Sequence, residues 1–247
     1  MHAFESTRLL YGDESAARLA RARVLVVGLG GVGSWVAEAL ARSGIGALTL
    51  MDPDDVCVSN INRQLMATHE TIGRFKVDVL AERLRAIHPA CRINTIRAFL
   101  HRTNAEETLA PGYDYVVDAI DGVMIKARLI AMCKERGIPI ITCGGAAGKK
   151  NPALVRIVDL SETQHDALLA FVRRKLRVVF GFPPKNQLFH VPCVYSPEPV
   201  CDSLVEADHP GAARACDGRL GAAAHITGLF GLWAAGQVIN DLAQQAD

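Results

Sequence analysis

Three groups of residues in this chain could do chemistry together. The first is Gly28-Leu-Gly-Gly-Val-Gly33. Its glycines, Gly28, Gly30, Gly31 and Gly33, let main-chain N–H groups come close to a phosphate where a helix begins. The second is Asp52, at the end of the next apolar run, where a carboxylate can accept both hydroxyls of a ribose. These two groups suit any nucleotide, NAD included. The third group narrows the choice. Arg63 and Lys76 follow Asp52 and add two cations, more than the two phosphates of NAD require, and they are placed to meet a triphosphate. Asp121, in Val117-Asp-Ala-Ile-Asp121, follows another apolar run, and a carboxylate beside a triphosphate holds Mg2+. Taken singly, each has a plainer use: Arg63 as a surface cap, Lys76 as a solvated helix residue, Asp121 as an N-cap.

The surrounding elements must bring these groups to one place. Arg23–Gly28, Ala47–Met51, Tyr113–Ala119 and Ile138–Cys143 are short apolar runs that read as buried strands, and Arg92–Ala98 reads as a further short strand. Between them, Ser34–Ser43, Ile72–Ile87 and Lys126–Arg136 read as helices. The alternation predicts an α/β fold: a Rossmann-like, doubly wound, mainly parallel sheet with helices on both faces and a C-terminal extension. The ends of such strands form one edge, where ligands sit. After Asp159 the alternation fades. Ala167–Val179 reads as a helix, Pro192–Pro199 contains a short strand, 202–218 reads as a mobile connection, and Leu220–Asn240 is a final helix. The expected organisation is one domain over 1–247, with an ATP-binding core near 5–160 and a substrate or dimer portion near 161–247.

Composition sets limits. Lys plus Arg total 27 and Asp plus Glu 26, so the chain is no polycation, and any contact with nucleic acid needs a local basic patch. Seven cysteines without a CxxC pair make a poor disulfide framework and a poor zinc knot. With no apolar leader near the N-terminus, they point to the cytoplasm. The 220–240 stretch is long enough to span a bilayer, but it is rich in Ala and Gly and holds His225, Thr227 and Gln237, so a buried helix is the expectation.

The combination of GxGGxG, the acidic Asp52, Asn60-x-x-Arg63-Gln64, Lys76 and Asp118-x-x-Asp121 resembles the adenylation family of ubiquitin-activating enzymes and their bacterial relatives. That resemblance implies ATP and Mg2+ as cofactors and a carboxylate activated as an acyl-adenylate. It implies Asp52 on the ribose, Asn60, Arg63 and Lys76 on the phosphates, and Asp121 on the metal. It implies Arg8 as a catalytic arginine reaching the neighbouring subunit of a homodimer. Sulfur-carrier members of the family usually carry two CxxC pairs, and this chain has none. Arg8-Leu-Leu-Tyr-Gly12, the segments around Gly33–Gly46 and Asp54–Gln64, Cys143–Gly148 and Cys193–Glu198 look instead like the branch that dehydrates threonylcarbamoyladenosine in tRNA. Sulfur-transfer accessory proteins are further partners this likeness implies.

A tRNA substrate needs cations. Arg173, Arg174, Lys175, Arg177 and Lys185 form a basic run free of acidic residues, with Phe180, Phe182 and Phe189 beside it as stacking faces or as core. Arg92, Arg97 and Arg102 make a second, weaker cluster. Cys216 is the candidate thiol for an acyl transfer, with an inert cysteine as the plainer reading. Two other functions stay open at this point: adenylation of a ubiquitin-like sulfur carrier, and a NAD-binding module.

Overall fold

The computed structural model describes residues 3–200 and 220–244. Two helices lead: α1 (Glu5–Tyr11) and α2 (Asp13–Arg21). The alternating part follows as β1 (Arg23–Val27), α3 (Gly33–Arg42), β2 (Ala47–Met51), α4 (Lys76–Ile87), β3 (Arg92–Ile96), α5 (Ala105–Leu109), β4 (Tyr115–Asp118), α6 (Val123–Glu135) and β5 (Ile140–Cys143). The rest is β6 (Arg156–Asp159), α7 (Ala167–Phe180), β7 (Pro192–Tyr195) and α8 (Ala224–Gln244). The seven strands lie in the order β3-β2-β1-β4-β5-β7-β6. All pairs are parallel except β6 with β7. The expected doubly wound, mainly parallel sheet is therefore present.

Strand alternation sorts the core into two layers. Val24 and Val26 of β1 face one layer with Leu40, Leu80, Phe230 and Val238, and so with α3, α4 and α8. Leu25 and Val27 face the other with Leu129, Val172 and Leu176, and so with α6 and α7. Both faces of the central strands are covered, which is why they read as unbroken apolar runs.

Several boundaries differ from the sequence reading for local reasons. The helix expected from Ile72 starts at Lys76. Gly73 adopts a φ of +80°, and Phe75 bridges antiparallel to Asp55, so 72–75 form a turn rather than a helical start. The last helix starts at Ala224 rather than Leu220. The Gly221 carbonyl accepts from the Gly148 N–H, and the Ala222 carbonyl accepts from Asn62 Nδ2, so both are engaged outside any helix. The strand β6 carries no apolar run because it is the partly exposed antiparallel edge. The helices α1 and α2 gave little signal because Leu19 is the one residue they bury. Among the described residues, no helix is long and apolar enough to cross a membrane. The connection expected near 202–218, and Cys216 within it, lie outside the described residues.

Candidate nucleotide site at the sheet edge

The Gly28–Gly33 loop leaves β1 and opens α3. Gly28 has a φ of +88°, and a Cβ there would press on the Ala119 carbonyl at 2.8 Å. A Cβ on Gly33 would sit 1.8 Å from the Gly28 carbonyl oxygen. Only glycine fits either position, so the tight turn is written into the residue type. At Gly30 the situation reverses. A Cβ there would meet nothing closer than Gln64 Nε2 at 3.9 Å, so the main chain faces open space.

Asp52 ends β2 and is 6% exposed. Its Oδ2 accepts from the Leu29 N–H at 2.7 Å and its Oδ1 from the Asp54 N–H at 2.9 Å. The carboxylate therefore locks the glycine loop to the adjacent strand. Burial raises its pKa above the usual carboxylate value, opposed by the Lys76 charge and by the two N–H donors. Lys76 opens α4 and is nearly buried. Its ammonium lies 2.9 Å from Asp54 Oδ2 and 3.8 Å from Asp52 Oδ1. The cation thus stands beside the ribose-binding candidate, held by carboxylates.

Arg63 is half-buried, with Nη1 donating to the Ser59 carbonyl at 2.7 Å and to Asn62 Oδ1 at 3.1 Å. A Cβ built on Gly31 would lie 3.3 Å from Arg63 Cγ, which puts this arginine against the loop. The Arg63 carbonyl accepts from Trp35 Nε1 of α3 at 3.2 Å and from Thr227 Oγ1 of α8 at 3.3 Å. Asn60 is buried, and its Oδ1 accepts from the Cys57 N–H at 3.1 Å, so it shapes the turn that carries Arg63.

Asp121 lies three residues beyond the end of β4 and is exposed. It is not the N-cap of α6: that position is Gly122, and no side chain caps the helix. The turn beneath it is fixed by Lys126, which the sequence reading did not single out. The Lys126 ammonium is sealed from solvent, 3.0 Å from Asp118 Oδ2 and 2.8 Å from the Ile120 carbonyl. Asp118 also accepts from Thr142 Oγ1 at 2.7 Å and from the Ile120 N–H at 3.1 Å. An aspartate inside an apolar strand demands such partners, and that was the available signal.

Two features bear on how the site could hold a nucleotide and a cation. Gln64 Oε1 is buried without a hydrogen-bond partner, beside the open face of Gly30. Buried polar ends left so are uncommon; this oxygen is an acceptor and suits a donor or a cation, while the amide Nε2 is the end that faces Gly30. The Asp121 carboxylate supplies hard oxygen donors of the kind Mg2+ takes.

Arg8 is not brought to the loop. On α1 it pairs with Glu5 at 2.6 Å and with Asp13. The neighbouring Tyr11 donates to Asn240, near the end of α8 remote from Thr227. Thirteen helical residues put about 20 Å between those two points.

The basic run divides. Arg173 turns inward and donates to Thr163, and burial lowers its pKa. Arg177 donates to the Pro183 carbonyl at 3.1 Å and covers the Phe189 ring at 4.9 Å. Arg174 and Lys185 are exposed, and Lys175 is half-buried. Of the three phenylalanines, Phe189 is buried and meets Phe182 edge-on at 5.2 Å, so these are core rather than stacking faces. In the second cluster, Arg97 is tied to Asp78 at 2.5 Å.

The chain is 48% identical over 239 residues to the tRNA threonylcarbamoyladenosine dehydratase of Haemophilus influenzae, covering 96% of this chain and 91% of that protein. It is 42% identical over 252 residues to the protein of that name from Escherichia coli, covering 98% and 94%. The solved structure of the E. coli enzyme in complex with ATP superposes with a TM-score of 0.87 at 41% identity, covering 97% of this chain and 93% of that one. The ThiF family model matches residues 5–244, from α1 to the end of α8, and the chain belongs to the ThiF family.

Proposed function

We propose that this chain is an ATP-dependent tRNA threonylcarbamoyladenosine dehydratase. The observation that carries the reading is the likeness to enzymes of that name over 96% of the chain, through both the glycine loop and the C-terminal helices. The sulfur-carrier alternative is disfavoured because the relatives matching at full length bear the dehydratase name. A NAD-binding module is disfavoured because the superposed relative binds ATP.

In this reading Asp52 takes the ribose. The main chain of Gly28, Gly30, Gly31 and Gly33, with Asn60, Arg63 and Lys76, takes the phosphates. Mg2+ on Asp121 would neutralise charge on the departing pyrophosphate. The substrate carboxylate oxygen bonds to the α-phosphorus while the bond to pyrophosphate breaks. A nucleophile within the same modification then attacks the activated carbonyl and releases a proton, and AMP leaves with the former carboxylate oxygen. The nucleoside has lost one water and ATP has become AMP and pyrophosphate. The protein's part is positioning and charge stabilisation. Lys76, held by Asp54 and Asp52 beside the ribose candidate, would need only a change of partner to meet the phosphates. Arg8 lies away from its own loop and would serve a second copy of the chain in a homodimer. The exposed Arg174 and Lys185, with Lys175, would meet tRNA phosphates.

Mass spectrometry of tRNA nucleosides after incubation with the protein and Mg-ATP tests this. Loss of one water from threonylcarbamoyladenosine is expected. Pyrophosphate exchange driven by a sulfur-carrier protein, with no change in the nucleoside, would overturn it.

A further inference from the structure

The helix α8 is apolar along the face it buries, yet it carries a threonine there. Thr227 is 3% exposed. A hydroxyl buried in a helix commonly donates to a carbonyl one turn back, and those of Ala223 and Ala224 lie 3.4 Å from Oγ1. The Arg63 carbonyl, 164 residues away in sequence, is also within reach at 3.3 Å. The methyl of the same side chain meets the glycine loop: a Cβ on Gly31 would stand 3.0 Å from Thr227 Cγ2. One side chain of α8 therefore touches both the loop and the segment that carries Arg63.

A second donor comes to the same carbonyl oxygen from α3. Trp35 Nε1 donates to it at 3.2 Å. Indole has no other polar atom, so this is the one hydrogen bond its ring nitrogen is spent on. The ring is set against α8, where a Cβ on Gly228 would lie 3.5 Å from Trp35 Cε2. A Cβ on Gly231 would lie 2.6 Å from Trp35 Cβ, so glycine there is what lets the two helices close on each other. Beside Trp35, the Ser34 hydroxyl is fully buried, donating to the Gly30 carbonyl at 2.7 Å and accepting from the Leu65 N–H at 3.2 Å.

These contacts differ in kind from those inside the 57–64 turn. There the N–H groups of Asn60, Ile61, Arg63 and Gln64 reach back three or four residues. Such bonds fix the shape of the turn but not its place relative to the glycine loop. A main-chain carbonyl is satisfied by one partner and has two lone pairs. At Arg63 two donors, from two different helices, converge on it. Among the described residues the Arg63 guanidinium donates to neutral oxygens, of Ser59 and Asn62, and pairs with no carboxylate. Its charge is left for a ligand while its main chain is held twice.

We propose that Trp35 and Thr227 are positioning residues for adenylation: together they hold the Arg63 main chain at a set distance from the glycine loop, so that its guanidinium meets the nucleotide phosphates. This deepens the dehydratase reading and rests on it. Both side chains act through Arg63, not on the nucleotide.

The experiment measures Mg-ATP affinity by direct titration, KM for ATP and for tRNA, and urea unfolding. The variants are Trp35→Phe, Thr227→Val and Thr227→Ser, with the first two also combined with Arg63→Ala. Trp35→Phe keeps a ring against α8 and removes the N–H. Thr227→Val keeps the shape and removes the hydroxyl. Each is expected to weaken Mg-ATP binding by up to about tenfold, the worth of one hydrogen bond. The KM for ATP should rise with it, and the KM for tRNA should stay as in the wild type. Thr227→Ser, which keeps the hydroxyl, should bind Mg-ATP as the wild type does. In the Arg63→Ala background neither change should weaken Mg-ATP binding further, while any loss of urea stability persists. The same loss of affinity with and without Arg63 would mean that the two side chains serve packing alone, and would overturn the proposal. Wild-type affinity in either Trp35→Phe or Thr227→Val would also overturn it. If the wild type binds Mg-ATP yet removes no water from the nucleoside, the dehydratase reading fails and the proposal is still decided by the Mg-ATP titrations. A wild type that binds no Mg-ATP overturns both.

Discussion

Two buried lysines meet aspartates along the same edge of the sheet, and they are built oppositely. Lys126 and Asp118 are both fully sealed, 3.0 Å apart, and every neighbour that meets them is a fixed protein group. Lys76 is nearly as hidden, but its nearer partner, Asp54, keeps 54% of its side chain in solvent. A pair with both members enclosed can only hold the fold. A pair with one exposed member can exchange that partner for a ligand phosphate with little desolvation, because water already covers the site of exchange. Burial of the partner, not of the lysine, is what differs between the two pairs.

This contrast can be broken by experiment. Lys126→Met leaves buried Asp118 without its cation. The expected loss is about 3–5 kcal/mol of stability, seen in urea unfolding, and it should shrink when Asp118→Leu is added. Unchanged stability in the single variant would mean that the enclosed pair is no strut. Lys76→Ala and Asp121→Ala should instead lower turnover by about 10²–10³-fold, while the melting temperature moves less than in Lys126→Met. Asp121→Ala, an exposed site, should fold as the wild type does.

The same distinction extends to α7. Arg174→Ala is expected to reduce the salt dependence of tRNA binding by about one phosphate contact. Arg173→Ala should leave that slope unchanged and lower stability by about 1 kcal/mol, because its guanidinium is occupied by Thr163. Equal slopes in the two variants would erase the division between inward and outward cations.

The smallest effect concerns the thiols. Burial pushes Cys133 and Cys143 up to about 12 and Cys91 up to about 11. Each folded value lies above the unfolded one, so the neutral thiol favours the native state. That contribution is complete below the ordinary thiol range and is lost as pH climbs towards 11–12. Native protein at pH 8 should therefore leave these three unalkylated, with labelling appearing only on unfolding.

Much of this architecture was legible because it is local. Gly28 and Gly33 announce a turn that no other residue can make, and β1, β2, β4 and β5 are apolar runs covered on both faces. Asp52 was placed by its position after a strand. What stayed hidden depends on contacts between distant segments. Lys126 sits among helix formers, and only its meeting with Asp118 and Thr142 gives it meaning. Arg173 and Arg174 are adjacent in sequence, yet a helix turns them about 100° apart, one inward and one outward. The edge strand β6, half in solvent, leaves no apolar signature.

The helix α8 touches both ends of the molecule's working surface. Near its start, Thr227 holds the main chain of Arg63, and near its end Asn240 and Ala243 hold Tyr11, Ser15 and Arg18. A packed helix does not compress, so it transmits displacement along its axis as a push-rod does. A displacement of the Arg63 backbone would be passed along about 20 Å of helix to the helix that carries Arg8. The main chain of Arg63 and the helix that carries Arg8 are thereby tied to one rigid element.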